Sequence, residues 1–149
     1  MVQNINQMKK TFLLFPLAIM FLFFVARCDA KNDDGIKFQE DNWKQVLSKA
    51  KSEHKLIFLD IYASWCGPCK MLKRQTFTDK TAADYFNTTF VNASFDGEKG
   101  DGPMLAEKYK ISAYPSLFIL DENGNVVKST VGFIPASELI NFGKSAHKK

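Results

Sequence analysis

Two cysteines, Cys66 and Cys69, stand at the end of the apolar run Leu56-Ile57-Phe58-Leu59-Asp60-Ile61-Tyr62, inside the hexapeptide Trp65-Cys66-Gly67-Pro68-Cys69-Lys70. A run this apolar, with charge before it and thiols after it, predicts a central strand covered on both faces. A carboxylate within such a strand makes Asp60 conspicuous. Pro68 suits an early helical position, where its missing N–H goes unmissed, and Met71, Leu72 and Lys73 are good helix formers. The chain therefore has to run from a strand into a helix that opens at the two thiols, the arrangement of a reversible dithiol/disulfide centre.

Only the thiolate of a cysteine attacks, and a free thiol with a pKa of about 8.5 is mostly protonated at neutral pH. At the helix N-terminus, unpaired backbone N–H groups and the helix dipole favour negative charge on Cys66, while Cys69 turns toward the body of the domain. The asymmetry makes Cys66 the acidic, accessible nucleophile that attacks a substrate disulfide, and Cys69 the thiol that resolves the mixed disulfide. Gly67 permits close approach of a substrate chain, and Pro68 stiffens the spacing between the sulfurs. The competing structural reading, half of a zinc site, lacks its other half. Beyond these two cysteines the domain offers only His54 and His147 as soft or imidazole ligands, and they do not have paired-ligand spacing.

The rest of the chain supplies the elements of one domain, as expected for 149 residues of which 46% are hydrophobic. Asp41 is a candidate cap for a helix whose apolar stripe is Trp43, Val46, Leu47 and Ala50. The helix after the thiols is expected to break near Thr78, with Thr78-Asp79 capping a second one through Ala82, Ala83, Tyr85 and Phe86. Phe90 to Phe95 alternates as a strand, Asp96 to Pro103 reads as a loop, and Met104 to Tyr109 as a short helix. Strands at Ser116–Leu120 and Val126–Val131 flank the turn Asp121-Glu122-Asn123-Gly124 and predict an antiparallel hairpin. Pro135, then Leu139, Ile140 and Phe142, predict a final helix.

Residues 1–30 read as an export signal: Lys9 and Lys10 precede the apolar segment Thr11–Ala26, which falls short of the roughly 20 residues of a membrane span. An uncleaved anchor is the competing reading. Cleavage after Ala30 fits general processing, whereas Val25-Ala26-Arg27-Cys28 resembles a lipoprotein box with Arg27 out of pattern, leaving a possible lipid anchor at Cys28. Residues 31–40 are then a linker and domain entry, and 41–149 the folded domain. The net charge of +4 belongs partly to the leader, and the remaining charges are interspersed, so no nucleic-acid partner is implied.

Asp60 to Lys70 closely resembles the active-site stretch of the thioredoxins, with Tyr114-Pro115-Ser116, Asn123-Gly124 and Val131-Gly132 at compatible spacings over about 41–144. The resemblance implies an α/β thioredoxin fold, a central mixed β-sheet flanked by helices, and a monomer that needs no cofactor or metal beyond its redox-active Cys66–Cys69 disulfide. It implies that Asp60 is the buried carboxylate that moves the proton of the resolving thiol. It further implies that Pro115 is a cis-proline against the disulfide, that the backbone before it, at Tyr114, pairs with a substrate strand, and that Trp65 is a contact residue beside the nucleophile. Two positions depart from the family: Arg74 stands where a helix-kinking proline is usual, and Asn92 aligns with the lysine that usually partners the carboxylate. The stretch Lys73–Asp79 is similar to the C-terminal domain of the membrane thiol-reductase family and its exported relatives. Together with the leader this implies an exported thiol:disulfide oxidoreductase of the periplasm or cell envelope. It would reduce protein disulfides and draw electrons from a membrane thiol-reductase. Three alternatives stay open: an oxidase or isomerase, a copper(I)-binding module using the two thiolates beside Met71, and an interaction domain with an incidental disulfide.

Overall fold

The computed structural model describes residues 35–39 and 42–147; the expected leader, Cys28 and the Asp41 cap lie outside the described residues. Helix α1 spans Trp43–Glu53, and its N-cap is Asn42, whose Oδ1 accepts from the Gln45 N–H at 3.0 Å. Trp43, Val46 and Ala50 form its buried stripe, as the spacing predicts. Strands β1 (Leu56–Tyr62), β2 (Phe90–Asp96), β3 (Ser116–Leu120) and β4 (Val126–Val131) form one sheet in the order β2-β1-β3-β4. The sheet is mixed: β1 runs parallel to β2 and antiparallel to β3, and β3 and β4 form the predicted hairpin.

A parallel pair needs a crossover of a dozen or more residues, and here the crossover carries the thiols. Helix α2 (Gly67–Met71) runs into a π-helical turn, Leu72–Thr76, closed by the Phe77 N–H donating to the Leu72 carbonyl at 2.9 Å. Arg74 lies within this turn. A π turn of this kind accommodates one extra residue in the helical path and is itself a cause of helix bending. Helix α3 (Lys80–Thr89) starts afresh under the cap of Asp79, whose carboxylate accepts from the Ala82 N–H at 2.9 Å.

Helix α4 spans Gly102–Lys108, two residues longer at its start than the sequence predicts, because Pro103 is accommodated in the first turn. Asp101, just before it, leaves its own helix without a side-chain cap and accepts from the Trp43 N–H at 2.7 Å, tying the starts of α1 and α4 together. Helix α5 (Ala136–Ser145) has Pro135 as its N-cap rather than inside its first turn.

Two cores cover the sheet. On one face Ile57, Leu59 and Ile61 of β1 pack with Trp43, Val46 and Ala50 of α1 and Leu105 of α4. On the other, Phe58 meets Leu72, Phe77, Phe86, Leu117 and Leu139, bringing in the π turn, α3 and α5. Each fully buried aliphatic or aromatic side chain contributes about 1.5–3 kcal/mol, and Ile57 to Ile61 of β1 supply four such hydrophobic residues in succession around Asp60. Residues 35–39, the expected domain entry, add to this body: Ile36 is buried in the second core, and Gln39 forms a parallel bridge with Ala93 at the β2 edge.

Gly102 is buried, and a Cβ there would overlap the Asp96 carbonyl oxygen and lie 2.9 Å from the Gly97 Cα. Both are backbone atoms that cannot swing aside. Gly102→Ala is expected to lower unfolding stability by about 1–3 kcal/mol, read as a fall in the urea midpoint; an unchanged midpoint would show that the Asp96–Gly97 backbone yields.

Candidate active site

Beyond β1 the chain turns through Ala63, Ser64 and Trp65, and Cys66 becomes the N-cap of α2. Its backbone N–H donates to the Ala63 carbonyl at 3.1 Å, fixing the turn. Cys66 and Cys69 are joined as a disulfide with their Cα atoms 5.3 Å apart. The Cys69 N–H donates to Cys66 Sγ at 3.1 Å. One of the orphan donors of the helix start is therefore spent on a sulfur, and the same donor favours the thiolate once the bond is reduced.

Accessibility does not separate the two sulfurs. Cys66 and Cys69 are each 3% exposed, packed with Ala63 under the partly buried rings of Tyr62 and Tyr114. The expected greater exposure of Cys66 is absent from this disulfide form, in which both cysteines are buried. What distinguishes the pair here is the hydrogen bond that only Cys66 Sγ accepts. Gly67 and Pro68 are exposed beside it, and a Cβ on Gly67 would meet nothing within 4 Å, so the approach over this turn is open.

Asp60 is 1% exposed in β1, opposite Ser94 of β2 and Leu117 of β3. Burial pushes its pKa up to about 6, against the opposing pull of a hydrogen bond from Ser94 and the charge of Lys73. Ser94 Oγ donates to Asp60 Oδ2 at 2.9 Å. Asn92, aligned by sequence with the usual partner of the carboxylate, lies opposite Phe58 and donates instead to the Phe86 carbonyl at 3.3 Å and to Asn87 Oδ1 at 3.2 Å.

The rim is aromatic. Trp65 is 67% exposed, and its indole N–H donates to both carboxylate oxygens of Glu98 at 3.0 and 3.2 Å. Its ring meets Tyr114 edge-on at 6.0 Å, and Tyr114 lies so close over Gly97 that any Cβ there would strike its hydroxyl. The Tyr114–Pro115 peptide bond is cis, Pro115 is buried, and its carbonyl accepts from the Gly132 N–H at 2.9 Å. The structure thus gathers Cys66, Cys69, Trp65 and Tyr114 in one packed group, with Asp60 in the strand that feeds it.

Three residues of this neighbourhood escape the sequence reading. Ser94 becomes visible only with the β1–β2 register, since nothing local marks it. Glu98 sits in a loop whose course no periodicity reveals. Lys73 carried a usable signal: it follows Cys69 by four residues, the spacing of side-chain neighbours on one helix face.

Among the described residues no group of three or more His, Cys, Asp or Glu side chains is placed to hold a metal ion, and no helix is long and apolar enough to cross a membrane. The family model for thioredoxin matches residues 35–145. A solution structure from Bacteroides thetaiotaomicron, provisionally called a disulphide-isomerase, is 43% identical with a TM-score of 0.69, covering 78% of this chain and 96% of its own. The thiol:disulfide interchange protein DsbD of Haemophilus influenzae is 25% identical over 78% of this chain, which spans only 21% of that relative's length. The oxidised C-terminal domain of DsbD from Neisseria meningitidis shares the fold at 22% identity and a TM-score of 0.62, over 74% of this chain and all of its own. With a sheet of this order, a disulfide at the mouth of α2 and these relatives, the chain belongs to the thioredoxin family and is a thiol:disulfide oxidoreductase.

Proposed function

We propose that this protein is an exported reductase of protein disulfides in the cell envelope, re-reduced by a membrane thiol-reductase. The observation that carries the exchange chemistry is the Cys69 N–H bound to Cys66 Sγ, which favours the anion at one sulfur of the pair. Cys66 attacks a substrate disulfide, releasing one substrate thiolate and forming a mixed disulfide. Cys69 loses its proton to the Asp60 carboxylate and attacks Cys66 Sγ. The substrate then leaves as a dithiol and the Cys66–Cys69 bond closes. Trp65 and Tyr114 offer the aromatic rim on which a substrate chain rests. Gly67 and Pro68 leave the approach free, and the backbone at Tyr114-Pro115 pairs with the substrate strand.

The reductive direction draws support from the Gly-Pro pair between the cysteines and from the likeness to DsbD, whose name states thiol:disulfide interchange. Export, and the envelope as compartment, rest on the leader sequence and on that same likeness. An oxidising compartment re-oxidises a dithiol, so continued reduction there requires an electron supply from the membrane. The 43% identical Bacteroides relative favours a second reading, disulfide isomerisation by the same pair of sulfurs.

The direction is decided by the potential of the Cys66/Cys69 couple, measured by equilibration with glutathione. A value more negative than about −230 mV is expected of a reductase, and one near −120 mV would make the protein an oxidant. Cys69→Ser is expected to leave envelope proteins bound to Cys66 as mixed disulfides that mass spectrometry identifies, whereas Cys66→Ser should trap none. Recovery of no partner with Cys69→Ser would count against the enzyme reading.

Asp60 adds a dependence on pH with a definite sign. Its folded pKa, raised to about 6, exceeds the ordinary carboxylate value of 3.8, so the folded state binds the proton more tightly than the unfolded chain. Its favourable contribution is complete below about pH 4 and is lost as pH rises through about 6. Asp60→Asn is therefore expected to make the oxidised protein more stable than wild type at pH 8, by up to roughly 3 kcal/mol, with the advantage shrinking toward pH 4. Urea unfolding at the two pH values measures it; an equal advantage at both would refute the assignment to ionisation.

A further inference from the structure

A buried acid that takes a proton in each turnover has to lose it again, and Asp60, at 1% exposure, has no direct route to water. Its Oδ1 has no hydrogen-bond partner in the protein, and its Oδ2 accepts only from Ser94 Oγ. Ser94 itself, 5% exposed, lines two cavities. One, of about 440 Å³, is walled also by Tyr62, Asp96 and Lys99; the other, of about 230 Å³, by Ile36, Phe38, Phe77 and Lys73. Lys73 does not swing freely at this mouth: its ammonium rests 3.5 Å from the centroid of the Tyr62 ring, a cation held in place by the ring's negative face.

We propose that Ser94 Oγ is the exit through which Asp60 returns its proton to solvent, and that Lys73 is the cation that favours the carboxylate left behind. Both are positioning residues acting through Asp60, and the proposal rests on the reading of Asp60 as base for Cys69. As Cys69 attacks, the Cys66–substrate S–S bond breaks and the Cys66–Cys69 bond forms. The substrate sulfur leaves with the electron pair, and the Cys69 proton passes to Asp60. The protonated carboxyl then donates to Ser94 Oγ while the serine hydrogen passes to cavity water. One proton enters solvent and the carboxylate is regenerated. A hydroxyl serves this step because it accepts and donates at once.

The surroundings leave Lys73 without a rival. β2 faces Asp60 with Ser94 and β3 with Leu117, while residues 35–39 contribute Ile36 and Phe38 to the cavity. Asp96, two residues along β2, is paired with Lys99 at 3.5 Å. The nearby Cys66–Cys69 disulfide carries no charge, and among the described residues Lys73 is the charged group that acts on Asp60.

The test uses the reduced full chain with Cys28→Ser, so that only two thiols react with 5,5′-dithiobis(2-nitrobenzoate). The first thionitrobenzoate released reports Cys66, and the second reports attack by Cys69. Carbon-13 NMR of the Asp60 carboxyl follows its titration in the oxidised protein. Because the exit follows the second release, it is read over many turnovers: Ser94→Ala is expected to spare both releases but to slow steady-state insulin reduction with dithiothreitol roughly tenfold at pH 7, and Ser94→Thr to restore most of it. Lys73→Met is expected to move the Asp60 midpoint to higher pH, and Lys73→Arg to leave it in place. Because Lys73 is exposed, that pair carries the test even if Ser94→Ala does not fold. A wild-type steady-state rate in Ser94→Ala overturns the exit, and an unmoved midpoint in Lys73→Met overturns the role of the cation. Asp60→Asn separates this from the parent reading: it is expected to slow the second release itself, and if it leaves that release unchanged, the base assignment has failed.

Discussion

Because β1 is hydrogen-bonded on both sides and covered on both faces, its C-terminal end is a firmly held point from which to present two sulfurs. The cores that grip Ile57, Leu59 and Ile61 from one side and Phe58 from the other also deny water to Asp60 between them. One packing solution thus sets the position of the dithiol and the proton affinity of the carboxylate beneath it. Loosening β1 would cost both, since a hydrated Asp60 would return to the ordinary carboxylate range and the turn at Ala63 would lose its base.

That coupling makes the carboxylate a liability for stability. Above its raised pKa the fold must hold a charge whose only direct hydrogen bond comes from a serine hydroxyl, and desolvation outweighs that single bond. A fold selected for stability alone would have placed an apolar residue there, as it does on either side in Leu59 and Ile61. Retention of an acid at this point follows the common pattern in which groups with displaced proton affinity lie where protons move.

Much of this was legible in the sequence, because the strongest signals are local. The run Leu56–Tyr62 announces a doubly covered strand, Asn123-Gly124 announces the hairpin, and Cys66-Gly67-Pro68-Cys69 announces a helix start bearing thiols. What stayed hidden depends on register and on longer paths of the chain. The alternation of Phe90 to Phe95 reads as a strand with one wet face, yet Asn92 and Ser94 are buried, Asn92 bonded to a helix-end carbonyl and Ser94 to Asp60. The partner of Asp60 could not be read from Asn92, because pairing places that residue beside Phe58. Equal burial of the two cysteines likewise depends on tertiary packing, under Tyr62 and Tyr114, which spacing does not show.

The same register leaves Asp60 without a lysine across from it on β2: Ser94 stands opposite, and Asn92, aligned with the family's usual lysine, lies beside Phe58. A lysine buried in the sheet beside Asp60 would interact with it through a weakly screened medium, but would itself need desolvation. Lys73 approaches instead from the π turn, and this exposed residue keeps its ammonium on the Tyr62 ring. Its pull is correspondingly smaller than the desolvation it opposes, so the proton affinity of Asp60 stays high. A carboxyl with a pKa of about 6 is ionised at neutral pH yet close enough to that pH to take up a proton, the property the proposed role as base calls on. With the cation in the π turn and not in the sheet, β1 and β2 keep an uncharged side chain, Ser94, across from Asp60, and the strand that presents the sulfurs carries no second buried charge.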